Sequence, residues 1–248
     1  MANTAKKKLG IIGGLGPAAT ASLFMRIIDH TDAKTDQDHL DITILNRPQI
    51  PDRTAFILGK SEESYIPAVR EAAFELERMG CEVICMPCVT GHYRSEETFG
   101  GLTSAHVVHM PLEAARYLVR EGKQVVGVMA TDGTGRAGVL QKALEAEGLQ
   151  PVFPDEDNQA KVMSIIYDDV KAGLPADMQA FDEVCAHLRS RGATAFCSAA
   201  RAFGHRRSAE AHGMMVVDAS RCLPCVPSKN AVPPSSNLRQ SGCRRLLF

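Results

Sequence analysis

Short apolar segments alternate with amphipathic helical patterns along most of this chain, and this alternation is its most constraining feature. Lys8–Ile12, Ile42–Leu45 and Val83–Met86 are short, unbroken apolar runs followed by turn residues, which is typical of buried strands. Helical patterns follow at Ala18–Ile28 and Tyr65–Arg78. Strands that alternate with helices form parallel α/β sheets, whose ligands bind beyond the carboxyl ends of the strands. We therefore expect functional residues directly after strands.

A second series of the same kind begins near Val107–Met110 and includes a strand at Val125–Met129. Two such series within 248 residues are consistent with one large or two small domains. The helices predicted in this second series are Leu112–Arg120, Gly138–Glu147, Gln159–Lys171 and Phe181–Arg191.

Charge and hydropathy exclude several classes of partner. The chain has 28 basic and 29 acidic residues, so no overall positive field exists to attract nucleic acid or an anionic membrane. It contains no run of about 18 apolar residues that could span a bilayer. Gly13, Gly14 and Gly16 interrupt the first apolar stretch before it reaches the length of a signal peptide. We expect a cytoplasmic protein that binds neither nucleic acid nor membrane.

Residues 223–248 differ from the rest of the chain. They include four prolines, four serines, four basic residues and no acidic residue, and they show neither a helical nor a strand period. Such a composition offers few residues for a packed core, so we expect this segment to be loose.

The chain has eight cysteines, which in a reducing compartment are free thiols, metal ligands or catalytic thiolates. The C-x-x-C motifs Cys85–Cys88 and Cys222–Cys225 together match the residues of a zinc site. However, Cys85 lies within an apolar strand and the two motifs are far apart, so we predict no metal site. Cys81 and Cys185 are typical of small core residues.

Cys88 has a more informative setting. It comes just after a predicted strand and is followed by Thr90, Gly91 and His92. A helix N-terminus facing such a thiol stabilises the thiolate, which lowers the thiol pKa from about 8.5 and creates a base or a nucleophile. The alternatives are a buried cysteine at a turn and a histidine with a structural role.

Two basic residues follow predicted elements at positions suited to binding carboxylates. Arg53 follows a proline-containing turn after the second strand, where a guanidinium can bind a carboxylate through two hydrogen bonds. A surface ion pair with Asp52 is equally consistent with the sequence. Lys171 ends a predicted helix before Gly173, where a lysine also stabilises the helix dipole.

Two loops after predicted strands have the composition of small-anion sites. Gly14–Ala19 (GLGPAA) fits a dinucleotide-binding pattern only weakly, because the second strand ends in Leu45–Asn46 rather than in an acidic residue. A tight turn that presents backbone amides to a small anion is the favoured interpretation. Ala130–Thr134 (ATDGT) offers hydroxyls and amides, although a simple turn uses the same residues.

Taken together, the chain resembles the aspartate/glutamate racemase superfamily, and specifically its aspartate racemase branch. The resemblance runs in order from about residue 8 to residue 222. The fold it implies is α/β, with two similar parallel-sheet domains (Rossmann-like, flavodoxin-like) that face each other across an active-site cleft. The first domain would comprise residues 1–112 and 217–248, and the second residues 113–216. The matching stretches are GIIGGLGPAAT, TDAKTDQDHL, NRPQIPDRTAFILG, MPCVTGHY, MATDGTGRAG, PDEDNQ with IIYDDVKAG, and VVDAS.

The resemblance implies racemisation of aspartate or glutamate without pyridoxal phosphate or another cofactor. Two cysteines on opposite faces of the substrate α-carbon transfer the proton, one as thiolate base and the other as thiol acid. Donors around the carboxylate must stabilise the developing carbanion. A homodimer is also implied. By this resemblance Cys88 is the first catalytic cysteine, and the substrate-binding residues are Asn46, Arg53, Thr90, Thr131, Thr134 and Lys171.

The sequence departs from the family pattern at both cysteine motifs. Val89 stands where the family has asparagine, which removes an amide donor from the pocket. The second cysteine is expected at position 200, where the sequence has Ala200. Cys197 lies three residues earlier, roughly 10 Å along a strand, and is a displaced candidate for the second acid.

The genetic code suggests an origin for this second departure. Residues 196–201 (FCSAAR) can be encoded as TTC TGC TCG GCT GCA CGG, and the same bases read from the third position encode Leu-Leu-Gly-Cys-Thr. We hypothesise that the reading frame is shifted near residue 196, restored before 216 and shifted again near 223. Sequencing the encoding DNA tests this; the hypothesis fails if no frame change restores the Gly-Cys-Thr codons.

The sequence is consistent with three functions. The first is an amino-acid racemase whose inversion is weak because Ala200 replaces the second cysteine. The second is an inactive dicarboxylate-binding homologue that retains Arg53 and Lys171. The third is a decarboxylase or cis-trans isomerase of the same superfamily, which can work with a single cysteine.

Overall fold

The computed structural model describes residues 7–198 and 215–218. The strands are β1 Leu9–Gly13, β2 Ile42–Asn46, β3 Val83–Cys85, β4 His106–Val107, β5 Val125–Met129, β6 Gln150–Val152, β7 Ala195–Ser198 and β8 Met215–Asp218. The α-helices are α1 Pro17–His30, α2 Arg53–Ile57, α3 Ile66–Arg78, α4 Ser95–Phe99, α5 Met110–Arg120, α6 Asp132–Ala137, α7 Val139–Ala146, α8 Glu156–Ser164 and α9 Met178–Ser190. Short 3₁₀ turns occur at Asp36–Asp38 and Thr90–His92, and a π-helix at Ile165–Val170.

The strands form two four-stranded sheets with the same topology. The first sheet has the order β2-β1-β3-β4 and the second the order β6-β5-β7-β8, and all pairings are parallel. In each sheet the first strand in the sequence is therefore central and pairs with the second and third. This arrangement confirms the predicted fold of two similar parallel α/β units and places the loops after β1, β3, β5 and β7 at carboxyl edges.

Helices cover both faces of each sheet, as the apolar character of the strands requires. Ile12 and Ile84 pack on one face of the first sheet with α3, whereas Ile11 and Val83 pack on the other face with α1. In the second sheet β7 divides its residues in the same way: Phe196 packs with α9 and Cys197 packs with α5 and α7.

The two units also pack directly against each other. Buried Val89, which follows β3 of the first sheet, belongs to the same apolar cluster as Val128 and Leu140 of the second unit. Ile57 and Tyr93 of the first unit contact this cluster as well. The edge that carries Cys88 is therefore fixed against the second sheet by apolar contacts.

The glycine-rich turn after β1 is built by close backbone packing. Gly14 has a φ of 92°, and a Cβ there would lie 2.4 Å from the backbone carbon of Arg47, which follows β2. The Gly14 N–H donates to Thr20 Oγ1 in α1 at 3.1 Å. The turn thus joins β1, β2 and the first turns of α1.

The predicted elements match the structure in type, and most differences are at their ends. The four predicted strands are all present as β1, β2, β3 and β5, and the Val107–Met110 segment contains the end of the short β4 and the start of α5. The predicted helix Gln159–Lys171 is divided into α8 and the π-helix. The ATDGT segment forms the beginning of α6 rather than a simple turn, because Thr131 caps that helix by accepting the Thr134 N–H. Within the described residues, no helix is long and apolar enough to cross a bilayer.

The predicted domain boundaries remain predictions. The predicted return of the chain to the first domain covers residues 217–248. Of these, Val217 and Asp218 belong to β8 and pair with β7 of the second sheet, and residues 219–248 lie outside the described residues.

Candidate active site

Cys88 lies three residues beyond the end of β3, at the carboxyl edge of the first sheet. Its backbone N–H donates to the Met86 carbonyl at 2.8 Å, which turns the chain immediately after the strand. Cys88 is partly exposed, whereas the other cysteines of the described residues are buried: Cys81, Cys85, Cys185 and Cys197. Burial raises the pKa of Cys85 and of Cys185 to about 12, so these two thiols stay protonated at neutral pH.

Four buried threonines join the two units next to Cys88, and we call them the threonine cluster: Thr54, Thr90, Thr131 and Thr134. The Thr90 and Thr134 hydroxyl oxygens are 2.6 Å apart, and those of Thr54 and Thr131 are 3.3 Å apart. Thr131 and Thr134 are joined at 3.2 Å. These three hydrogen bonds use three of the four hydroxyl protons, so the cluster retains one O–H that can donate to a ligand.

The close packing around the threonine cluster explains why position 133 is a glycine. A Cβ at Gly133, in the first turn of α6, would lie 2.8 Å from the Thr54 Cα. The backbones of α2 and α6 therefore approach each other as closely as they do because residue 133 has no side chain. Close approach of these two short helices brings the hydroxyls of Thr54 and Thr131 within hydrogen-bond distance.

Arg53 begins α2 and is held by backbone carbonyls. Its Nη1 donates to the carbonyls of Pro51 at 2.9 Å and Ile50 at 3.2 Å, and its Nη2 donates to Leu15 at 3.4 Å. Its Nε is buried and has no hydrogen-bond partner. Among the described residues no carboxylate forms an ion pair with this guanidinium, and the adjacent Asp52 uses Oδ1 to accept the Ala55 N–H. A positive charge fixed in this way can bind an anionic group.

Lys171 approaches the same region from the second unit. Its Nζ lies 3.8 Å from Asp52 Oδ2 and 3.7 Å from the centre of the Tyr167 ring. The preceding π-helix places it there, because the Lys171 N–H bonds to the Ile166 carbonyl five residues back. π-helical turns are frequent at functional sites. Lys171 of the second unit thus contacts Asp52, the residue that precedes Arg53 in the first unit.

Asn46 ends β2 at the same carboxyl edge. It pairs with Gly13 of β1 through the backbone and is exposed. The structure thus brings Thr90, Thr131 and Thr134 into one hydrogen-bonded cluster, with Arg53 beside Thr54 and Lys171 facing Asp52. Asn46 shares the edge of the first sheet.

Comparison with known proteins identifies the family. The profile described as Asp/Glu/Hydantoin racemase matches residues 12–200, about three quarters of the chain. The chain belongs to this racemase family. It is 27% identical over 158 residues to the broad specificity amino-acid racemase RacX of Bacillus subtilis (strain 168), and the match covers 61% of this chain and 66% of RacX.

Solved structures of this racemase family have the same fold. The aspartate racemase of Picrophilus torridus superposes with a TM-score of 0.72 at 27% identity, over 87% of this chain and 90% of that one. An aspartate racemase homologue from Pyrococcus horikoshii OT3 superposes with a TM-score of 0.71 at 21% identity, over 88% and 95% of the two chains. The two-domain architecture expected from the resemblance is confirmed.

Cys197, the displaced candidate for the second catalytic cysteine, lies in the apolar core of the second unit. Cys197 is fully buried within β7, opposite Val128 of β5 and Val217 of β8, and packs in the apolar cluster of the second unit. It does not belong to the threonine cluster. Ala200 lies outside the described residues, so the assignment of the second acid remains a prediction.

Two buried residues near Cys88 complete the site, and their roles are not evident in the sequence. The Tyr65 hydroxyl donates to the Tyr93 carbonyl at 3.0 Å, and burial together with the nearby Cys88 raises its pKa, while Arg53 acts in the opposite direction. Tyr65 therefore lies close to both the thiol and the guanidinium. Burial lowers the pKa of His92 to about 3, which keeps its ring neutral.

Proposed function

We propose that this protein is a cofactor-independent racemase of acidic amino acids, with aspartate as its first substrate and Cys88 as the base. The observation that carries this proposal is the position of Cys88. It is the one described cysteine that is not buried, and it lies two residues from Thr90, whose hydroxyl bonds to Thr134 of the second unit. A thiol at the junction of two α/β units is where a small ligand would contact both.

The proposed reaction begins with transfer of the substrate α-proton to the Cys88 thiolate. The electron pair of the broken C–H bond delocalises into the α-carboxylate, which then carries additional negative charge. The remaining hydroxyl proton of the threonine cluster and the Arg53 guanidinium can stabilise that charge. The proton then returns to the α-carbon. No pyridoxal phosphate is used, because the thiolate acts directly on the C–H bond.

Two cationic groups favour a substrate with two carboxylates. Arg53 is fixed by three backbone carbonyls and has no carboxylate partner among the described residues, and Lys171 is only loosely paired with Asp52 at 3.8 Å. An exposed ion pair of this length contributes little stability, so a substrate carboxylate can compete for Lys171. One methylene in such a pocket is worth only about 1–3 kcal/mol, so glutamate is expected to be a poorer substrate rather than an excluded one.

Inversion at the α-carbon is expected to be slow compared with proton exchange. Inversion needs a second acid on the opposite face, whereas Cys197 is buried among apolar side chains and position 200 is an alanine. Cys88 can remove and return a proton on one face alone. We therefore expect α-hydrogen exchange with solvent to exceed loss of optical rotation.

Incubation of L- and D-aspartate in deuterated water tests this proposal. We expect exchange of the α-hydrogen, followed by NMR, that is faster than the change in optical rotation. Binding of aspartate in a calorimeter without exchange would instead support the dicarboxylate-binding homologue. Release of carbon dioxide would support the decarboxylase, and equal rates of exchange and inversion would show that a complete pair of acids is present.

Two further parts of the proposal concern the whole protein. We propose that it forms a homodimer and acts in the cytoplasm on a small-molecule dicarboxylate. Light scattering on the purified full chain gives the molar mass in solution, and a monomer at assay concentration would contradict the dimer.

A further inference from the structure

His92 is a buried polar side chain that the proposed proton transfer does not use. It is 3% exposed, and both of its ring nitrogens are buried without a hydrogen-bond partner. Buried polar groups that lack partners reduce stability and are rare in folded proteins. An apolar residue would avoid this cost at position 92, so the imidazole calls for a role outside stability.

The position of His92 connects it to Cys88. It ends the 3₁₀ turn Thr90–His92, which also carries the threonine that bonds to the second unit. The Met86 carbonyl, which accepts the Cys88 N–H at 2.8 Å, also acts on the His92 ring. The same carbonyl thus lies near both the Cys88 backbone and the imidazole.

Two aromatic rings lie close to the His92 imidazole. The rings of His109 and Phe99 lie 4.9 Å and 6.3 Å from it, centre to centre. Burial and the neighbouring His109 both keep His92 neutral, since each lowers its pKa. A neutral imidazole offers one N–H donor that can hold a carbonyl in place.

We propose that His92 is a positioning residue that donates its ring N–H to the Met86 carbonyl and so fixes the Cys88 thiol beside Thr90. Hydrogen bonds that support catalysis are often poorly aligned before substrate binds and shorten in the complex, which fits the unpartnered ring in this structure. The expected effect of His92 on turnover rests on the proposed function. The effect on the Cys88 thiol does not depend on any activity.

Three variants separate positioning from folding. His92→Phe retains a ring of similar size and removes the donor. His92→Asn and His92→Gln place an amide N–H near the positions of Nδ1 and Nε2, so one of them can still reach Met86. The rate of Cys88 alkylation by iodoacetamide is followed by tandem mass spectrometry, which distinguishes Cys88 from Cys81 and Cys85 on the same peptide.

For His92→Phe we expect a thermal midpoint equal to or above that of the wild type, together with a Cys88 alkylation rate raised at least about threefold because the loop opens more readily. We expect kcat for exchange of aspartate to fall about 10- to 100-fold at similar KM, since small displacements of a reacting group are costly. Either the Asn or the Gln variant should recover most of this loss.

An alkylation rate and an exchange kcat within twofold of the wild type in folded His92→Phe would overturn the inference. If that variant does not fold, equal alkylation rates in the Asn and Gln variants overturn it, because the two amides cannot both reach Met86. Failure of the wild type to exchange aspartate contradicts the proposed function but leaves the alkylation result as a test of positioning.

Discussion

Among the glycines that the structure describes, Gly14 leaves the least room for a side chain. Its φ of 92° is unfavourable for an L side chain, and an added Cβ would lie 2.4 Å from the Arg47 backbone. We expect Gly14→Ala to lower the free energy of unfolding by more than about 2 kcal/mol, because a backbone segment must move. Chemical denaturation of the purified variant measures this change.

Gly16 provides the matched control for Gly14. It precedes α1 with a φ of −122°, and a Cβ there meets no atom within 4 Å. We expect Gly16→Ala to change stability by less than about 1 kcal/mol, since a cap glycine differs modestly from alanine. Equal losses in the two variants would contradict the close approach of the Gly14 turn to Arg47.

His92 also makes the stability of the protein sensitive to acid. Burial, and then the neighbouring His109, lowers its pKa to about 3, while an unfolded histidine titrates near 6.5, so below pH 6.5 the unfolded state binds a proton that the folded state does not. Stability is therefore complete above pH 6.5 and decreases on acidification by about 1.4 kcal/mol per pH unit for this residue.

Between pH 7 and pH 5 the wild type should lose about 2 kcal/mol more stability than His92→Phe, as measured by denaturant unfolding at both pH values. His109 contacts the His92 ring and also has a lowered pKa, but it is present in both proteins. An equal loss in wild type and variant would show that His92 is not buried as a neutral ring.

The sequence predicts the position of a site residue best where that residue directly follows a strand. Cys88, Asn46 and Thr131 were predicted to lie at carboxyl edges from their positions after apolar runs, and the structure places them there. Thr54 and Tyr65 were not predicted. Their roles depend on partners distant in the sequence, Thr131 and Cys88, and no local pattern specifies such contacts.

At the scale of elements, α2 is a helix of five residues whose stability depends on its first turn. Asp52 Oδ1 accepts the Ala55 N–H at 2.8 Å, and this cap fixes the helix that carries Arg53 and Thr54. We expect Asp52→Ala to lower the free energy of unfolding by about 1 kcal/mol and Asp52→Asn by less, because asparagine is also a good cap.

The comparison of these two Asp52 variants isolates the cap from the ion pair, since both remove the charge near Lys171. Thermal denaturation of the two proteins at neutral pH measures the difference. If Asp52→Asn were as unstable as Asp52→Ala, the loss would come from the contact with Lys171 instead.

The π-helix shows why element boundaries were harder to predict than elements. The segment Gln159–Lys171 has a helical pattern throughout, and hydropathy does not distinguish α from π hydrogen bonding. The switch is visible only in the backbone, where the Lys171 N–H bonds to Ile166. The sequence does not predict α6 at all, for a related reason: Thr, Asp and Gly serve equally in turns and in helix caps.

At the scale of the whole molecule, the threonine cluster couples the two α/β units. Thr90 and Thr134 are both buried and belong to different units. Replacing either by valine leaves the other hydroxyl without that partner, so we expect each single change to cost about 1–3 kcal/mol. The double variant should cost about 1 kcal/mol less than the sum of the two, as determined from a double-mutant cycle by denaturant unfolding.

Thr98 provides the control pair for this cycle. It is fully buried in α4, but its hydroxyl donates to the Arg94 carbonyl within the same helix region. Thr98→Val and Thr134→Val are expected to be additive within about 0.5 kcal/mol. If the effects of Thr90→Val and Thr134→Val on stability were also additive, coupling between the units through this hydrogen bond would be contradicted.

The two-unit architecture was largely predictable from the sequence, because repeated strand and helix patterns specify a parallel sheet wherever they occur. The contact between the two units is less predictable from the sequence. Val89 was expected to be a lost pocket donor, and the structure shows it buried in the apolar cluster of the second unit. Residues 199–214 and 219–248, which hold Ala200 and the proline-rich segment, lie outside the described residues.

The central claim is that Cys88 removes the substrate α-proton, and α-hydrogen exchange in deuterated water with a cysteine variant tests it most directly. We compare wild type, Cys88→Ser and, as a control, Cys81→Ala, which removes a buried thiol of the first unit. Cys88→Ser is predicted to reduce the exchange rate of aspartate by at least about 100-fold, while Cys81→Ala retains exchange. Exchange at the wild-type rate in Cys88→Ser would contradict the account.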